Sequence, residues 1–288
     1  MTDEPPCGQC GGIRIAGGES CLAHAKPAER VVALKQFSKT GELDVRGVTI
    51  SNALLTEIFD AAPHDADGRQ TFSAARFGGA NFEDDAEFDR AKSEGAAEFK
   101  ETKFGGDVCF YRATFKGDAM FDGAAVEGDA IFELATFEGE NKFDGVEFGG
   151  DARFDQAIFD GETQFPEAAF EGDAEFEWVT FKGTAEFKEA KFERNAGFGD
   201  VKFEGDAGFE KAEFGGDAEF GKARFRCPAV FDGVSFGGDA RFDQATFESF
   251  AGFDRASFGG DAGFDRASFG GEATPCSLGR RLRAICQC

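Results

Sequence analysis

Phenylalanine recurs through the middle of this chain on a lattice. The rings fall at Phe77, Phe82, Phe88, Phe99, Phe104, Phe110, Phe115 and Phe121, then without a gap from Phe132 to Phe247. The steps alternate between five and six residues, so the period is eleven. Ser93 and Val126 fill two lattice positions without shifting the register. A small residue stands two places before most of the rings, as in Ala113 before Phe115, Ala119 before Phe121, Ala157 before Phe159 and Ala174 before Phe176. The consensus unit is Phe-x-x-Ala-x-Phe-x-Gly-Asp-Ala-x.

This period fits neither a helix face nor a continuously alternating strand. It fits a short extended segment, a turn, and another segment. Residues two apart in an extended segment point the same way, so alanine and phenylalanine both face inward while the residue between them faces water. Gly117-Asp118, Gly128-Asp129, Gly172-Asp173 and Gly205-Asp206 supply turns. Here glycine is expected to take positive φ, and aspartate to bond nearby amides. One unit cannot bury its two rings alone, so neighbouring units must stack, at about 4.8 Å per coil. The expected fold is all-β: a parallel, right-handed β-helix with phenylalanine ladders inside.

Tandem Ala-x-Phe units, among them Ala218-Glu219-Phe220 and Ala223-Arg224-Phe225, resemble the pentapeptide-repeat family over roughly two-thirds of the chain. The resemblance implies a four-sided right-handed β-helix with about four pentapeptides per coil. Every second unit here carries one extra residue, normally the glycine before Asp, which enlarges a four-sided coil to 22 residues. A flat two-sided coil of eleven residues is the alternative that periodicity leaves open.

The chain divides into a knuckle at 1–26, a cap with short helices and a first rung at 27–70, the β-helix at 71–272 and a basic tail at 273–288. In the first segment Cys7-Gly-Gln-Cys10 precedes Cys21-Leu-Ala-His24. Three thiols and an imidazole in two close pairs are the donor set of a tetrahedral zinc site, and an all-protein ligand set makes it structural. The competing reading is a tail with incidental cysteines. In the cap, Pro27 opens a short amphipathic helix carrying Val31, Val32, Leu34, Lys35 and Phe37. Val45 and Ile50 are spaced as a first rung, and Ser51 caps a second helix over Asn52–Phe59 with Leu54, Leu55, Ile58 and Phe59 on one face.

Departures inside the lattice are few. Cys109 sits at an outward position, Cys227-Pro228 replaces Gly-Asp, and Phe250 stands where Asp is expected. Phe250 is either a partner anchor or a ring folded over a neighbouring corner. The Asp column (Asp107, Asp118, Asp129, Asp151, Asp173, Asp206, Asp217, Asp239, Asp261) suits turn stabilisation better than calcium, since Thr184 or Asn195 can stand in. Beyond Gly271 a basic helix over Leu278–Ile285 is expected to cover the last coil. Cys276, Cys286 and Cys288 stay unassigned.

The net charge is −24, and between Thr71 and Gly271 there are 44 acidic against 21 basic residues, a balance of 21 − 44 = −23. Nine such coils span about 42 Å, so the rod carries roughly one net negative charge per 1.8 Å, beside about 1.7 Å for duplex DNA. Solubility alone accounts for such a surface equally well. Only His24 and His64 are present, with no nucleophile motif or phosphate loop, so no enzymatic activity is expected. No apolar stretch suits a membrane span, and Met1–Pro6 lacks the features of a secretion signal, which makes a cytoplasmic location the expectation.

Two functions follow. Some proteins of the resembled family mimic B-form DNA and occupy the DNA-binding surface of DNA gyrase. By that resemblance the partner is a protein with a basic groove, a DNA-binding protein such as gyrase, with no direct contact to nucleic acid. The alternative is a scaffold whose specific surface lies in the N-terminal cap and whose solenoid is a spacer. The resemblance also implies a possible homodimer through the C-terminal segment.

Overall fold

The computed structural model describes residues 7–270. Its lattice region is a parallel β-solenoid of 22-residue coils, which decides between the two coil lengths. One coil shows the plan. Val108–Cys109 lies on a first face, Thr114–Phe115 on a second, Ala119–Met120 on a third and Ala125–Val126 on a fourth; Ala130–Ile131 then returns to the first. Each two-residue strand pairs in parallel with its equivalent one coil on, so Val108 faces Ala130 and Thr114 faces Thr136. Four sheets of nine or ten strands result.

The interior is the phenylalanine lattice folded into four columns. Phe132, Phe154, Phe176 and Phe198 stack at 4.8 Å with rings 2° from parallel. Neighbouring columns meet edge to face, as Phe154 meets Phe165 at 5.6 Å and 87°. Both geometries suit the ring quadrupole better than an eclipsed sandwich, and the coil spacing sets the stacking distance. Alanine two places earlier is buried alongside, leaving room for each ring. Where Ser93 interrupts a column, a gap of about 20 Å³ opens among Phe72, Phe99 and Phe115.

The two kinds of corner work differently from the expectation. The five-residue step, such as Phe110 to Phe115, closes by Ala113 N–H donating to the Phe110 carbonyl at 2.9 Å, with Arg112 at φ 55°. The same position recurs as Glu167, Trp178, Gly145 and Gly233, all at positive φ. Positive φ therefore belongs to this corner and not to Gly117-Asp118. At the Gly-Asp corner the requirement is space: a Cβ on Gly117 would lie 2.5 Å from the Gly95 carbonyl carbon of the coil before.

The aspartates stabilise that second corner, but they do so between coils. Asp107 Oδ1 accepts from the Asp129 N–H at 2.8 Å, Asp129 from Asp151 at 3.0 Å, and Asp173 from Asn195 at 3.1 Å. Asn195 Oδ1 then accepts from Asp217 at 3.1 Å. One acceptor oxygen is all the ladder needs, which is why asparagine can replace aspartate there.

The N-terminal end begins with α1 (Pro27–Thr40), β1 (Glu42–Asp44), β2 (Thr49–Ile50) and α2 (Asn52–Ala61). The strand β1 pairs with Ala74–Arg76, and β2 places Ile50 opposite Phe82, so the expected first rung is present. Ser51 Oγ accepts the Leu54 N–H at 3.4 Å, and α2 buries Leu54, Leu55 and Ile58. The expected amphipathic face of α1 is not the buried one. Val31 and Val32 are 63% and 68% exposed, and only Phe37 is fully buried, stacked 5.7 Å from Phe72. The ring of Phe250 folds over the adjacent backbone, where a Cβ on Gly252 would fall 2.9 Å from it. The expected helix over Leu278–Ile285 and Cys276, Cys286 and Cys288 lie outside the described residues.

Candidate metal centre and the rod surface

The knuckle is built by tight turns. Cys7 N–H donates to the Gly12 carbonyl at 2.8 Å and Gly11 N–H to the Cys7 carbonyl at 2.9 Å, with Gly11 at φ 76°. His24 N–H donates to the Cys21 carbonyl at 3.1 Å, closing the second pair. These two turns bring Cys7, Cys10, Cys21 and His24 together, with all four ligand atoms within 4.8 Å of one another. Cys10 Sγ lies 3.3 Å from Cys21 Sγ, Cys21 Sγ 3.3 Å from His24 Nδ1, and Cys7 Sγ 3.8 Å from His24 Nδ1.

Those separations, 3.3 to 3.8 Å, approach the edges of a tetrahedron around a metal. Zinc–sulfur bonds of about 2.3 Å give edges of about 3.8 Å, while a disulfide would bring the sulfurs to about 2.05 Å. The donor set is therefore fit for a thiophilic tetrahedral ion. The thiols are also unlike one another. Backbone hydrogen bonding, from Cys21 first, draws Cys7 down to about 6, while burial pushes Cys21 up to about 12. A cation among them would resolve that crowding of developing charge.

The knuckle is fastened to the rod. Ile13 N–H donates to the Arg46 carbonyl at 2.8 Å, and a Cβ on Gly12 would lie 2.9 Å from the Gly47 oxygen. Arg30 of α1 donates to the Leu22 and Ala23 carbonyls at 3.1 and 2.7 Å and pairs with Glu57 of α2 at 3.3 Å. A groove of about 890 Å³ remains between the knuckle and α1, lined by Ile13, Ile15, Leu22, Val32 and Phe37 among others.

A family model described as pentapeptide repeats (9 copies) matches residues 77–125, 121–169, 165–212, 187–234 and 209–257, together more than half of the chain. The chain belongs to the pentapeptide-repeat family. No curated protein and no solved structure matches it significantly.

The outward positions of this pentapeptide-repeat rod carry its charge. Ion pairs climb between coils, as Lys182 to Asp160 at 2.7 Å and Lys211 to Glu189 at 2.8 Å. Arg153 gathers Asp129, Asp151 and Glu175 within 3.3, 3.1 and 3.7 Å. Cys109 is half-buried, and burial with the Asp89 carboxylate beside it pushes its thiol up to about 12, which disfavours the reactive thiolate. Sequence reasoning passes over Glu177 and Trp178. Burial, with Asp155 hydrogen-bonded and charged beside it, pushes Glu177 up to about 7. Trp178 is 57% exposed at φ 56°. The available signal was the only tryptophan of the chain in an outward slot. No helix among the described residues is long and apolar enough to cross a membrane.

Proposed function

We propose that this protein is a non-enzymatic protein-interaction scaffold, a rigid acidic rod closed at its N-terminal end by a zinc knuckle. One observation carries the reading: the inward positions are almost invariant phenylalanine and alanine, while the outward positions of four flat faces differ from coil to coil. Such a rod holds its surface in fixed register and leaves that surface free to be specified. Cys7, Cys10, Cys21 and His24 would hold the ion. With every position filled by protein, the metal's part would be to staple the cap across the first coil.

The partner is expected to present a basic groove, since the rod carries 44 carboxylates against 21 cations between Thr71 and Gly271. The test is retention on the immobilised full chain at about 0.05 M and about 0.5 M salt. The expected result is stoichiometric capture of a small set of proteins, released by salt. Failure to retain any protein at the lower salt would sink the scaffold. Repeating the capture with Cys10→Ser and Cys21→Ser together tells which surface is used: loss of the partner assigns it to the cap, retention to the rod.

The linear charge density, roughly one net charge per 1.8 Å, favours a second and finer reading in which the rod mimics duplex DNA. DNA gyrase is the target to try first. Undiminished supercoiling at micromolar protein would count against gyrase and leave the scaffold standing.

A further inference from the structure

The rod's most exposed aromatic side chain stands at its least comfortable backbone position. Trp178 occupies the third residue of a five-residue corner, between the first and second faces, at φ 56°. A bulky residue in the left-handed region is disfavoured, and Gly123, Gly145 and Gly233 show what the corner tolerates without strain. No aromatic ring or guanidinium packs on the indole among the described residues. Nearby along the same edge lie Ile131, Leu134 and Ile158, the last 37% exposed, where other coils carry mainly polar side chains.

One coil further on, the corner carries Asp200, paired with Lys222 at 3.6 Å, among glycines. Gly197 is the outward residue of the first face, and Gly199 and Gly221 follow at the corner beside it. The Glu177 side chain lies along this backbone: a Cβ on Gly197 would fall 2.1 Å from its Oε1, and one on Gly199 3.7 Å from its Cγ. Asp155, one coil back, accepts the Glu177 N–H at 3.0 Å. Neither carboxylate has a lysine or arginine within ion-pairing distance among the described residues, although Arg153 nearby is shared among three other acids. The burial that raises Glu177 is thus left uncompensated by a paired cation among the described residues.

We infer that this edge, with Trp178, Glu177, Asp155 and the Gly197–Gly199 shelf at its centre, is the docking surface for an arginine-bearing segment of a partner protein. A guanidinium is planar, stacks on an indole face and takes a carboxylate on its edge, which are the two groups offered here. The flanking apolar residues of the segment would lie on Leu134 and Ile158, and the missing side chains at Gly199 and Gly221 leave room for its backbone at the corner. The inference rests on the scaffold reading and names its contact surface.

The probe is the peptide Leu-Arg-Leu-Arg-amide with fluorescein on its N-terminal amine, titrated against the full chain by anisotropy. Because Trp178 is the only tryptophan, its own emission reports the same event with an unlabelled peptide. Trp178→Gly is expected to weaken binding about tenfold, and Glu177→Gln about fivefold. Trp178→Gly should melt no lower than the parent, since glycine suits that corner, so weaker binding could not be blamed on unfolding. Glu167→Gln removes the same charge at the opposite corner and should change affinity by less than about twofold. The inference is overturned if Trp178→Gly binds within about twofold of the parent, or if Glu167→Gln loses as much as Glu177→Gln. Either outcome leaves the scaffold reading standing, because the partner capture described above registers binding by whichever face of the chain the partner uses.

Discussion

Gly145 and Gly161 sit in one coil for opposite reasons. Gly145 is at φ 59° with open space around its missing Cβ, whereas a Cβ on Gly161 would meet the Gly139 oxygen at 2.1 Å. The first is a torsional requirement and the second a steric one. Gly161→Ala is therefore expected to destabilise the rod by about 1–3 kcal/mol, because the atom it strikes is backbone held in the ladder. Glu167 is exposed and takes the same left-handed corner as Gly145, at φ 56°. Glu167→Gly should then stabilise by about 0.5–1 kcal/mol, an unusual sign for a substitution to glycine. Urea midpoints of the two variants check both; a destabilised Glu167→Gly would mean the corner is not strained. The sequence could not separate these cases. Gly117 and Gly145 are the same letter, and the ladder that excludes a methyl at Gly117 comes from Gly95, 22 residues away. The inward residues were legible because burial constrains their size and polarity directly, as the 0% exposure of Phe176 and Ala190 shows.

The cap is the element whose stability is separable from the rest. Coils contact only their neighbours, so a perturbation at one end should decay within a coil or two. If a metal staples Cys7, Cys10, Cys21 and His24, a strong chelator should raise amide exchange at Cys7, Gly11 and His24 at least tenfold, by roughly 1.4 kcal/mol or more of local opening. Amides such as Phe176 N–H, bonded to the Gly197 carbonyl at 2.7 Å, should be unmoved. Hydrogen exchange by mass spectrometry gives both readings. Unchanged exchange at the knuckle would mean that no ion holds it. The clustering of Cys7, Cys10, Cys21 and His24 was readable because Cys7-x-x-Cys10 and Cys21-x-x-His24 each close locally. The helix α1 was less readable. Val31 and Val32 look like core residues in the letters, yet what α1 packs against is α2, one coil and a knuckle, enough to bury Phe37 and half-bury Leu34. An apolar period cannot announce how much partner surface it will find.

Over the whole rod, charge opposes the fold. With 44 carboxylates and 21 cations between Thr71 and Gly271, more than half of the acids have no cation to pair with, and the surface pairs that form are individually weak. Burial adds to this at particular sites, raising Glu177 to about 7 and lifting Asp144 and Glu175 in the same direction. A carboxyl whose folded value lies above its unfolded value near 4.5 is bound to more protons in the fold than in the open chain. Its contribution is fully present below the unfolded value and is lost as pH rises through about 7. Repulsion along the faces has the same sign. The melting temperature in low salt is therefore expected to be higher near about pH 5.5 than near about pH 8, the reverse of a protein stabilised by salt-bridged carboxylates. Raising salt to about 0.5 M should narrow that gap by shortening the screening length to about 4 Å, less than one coil rise. Glu177→Gln should narrow it further by raising the melting temperature at the alkaline end alone, since the neutral amide matches the form the fold already prefers. A rod that melts higher at the alkaline pH in low salt would show that its ion pairs outweigh its repulsion, and that the acidic surface acts first as a stabilising network.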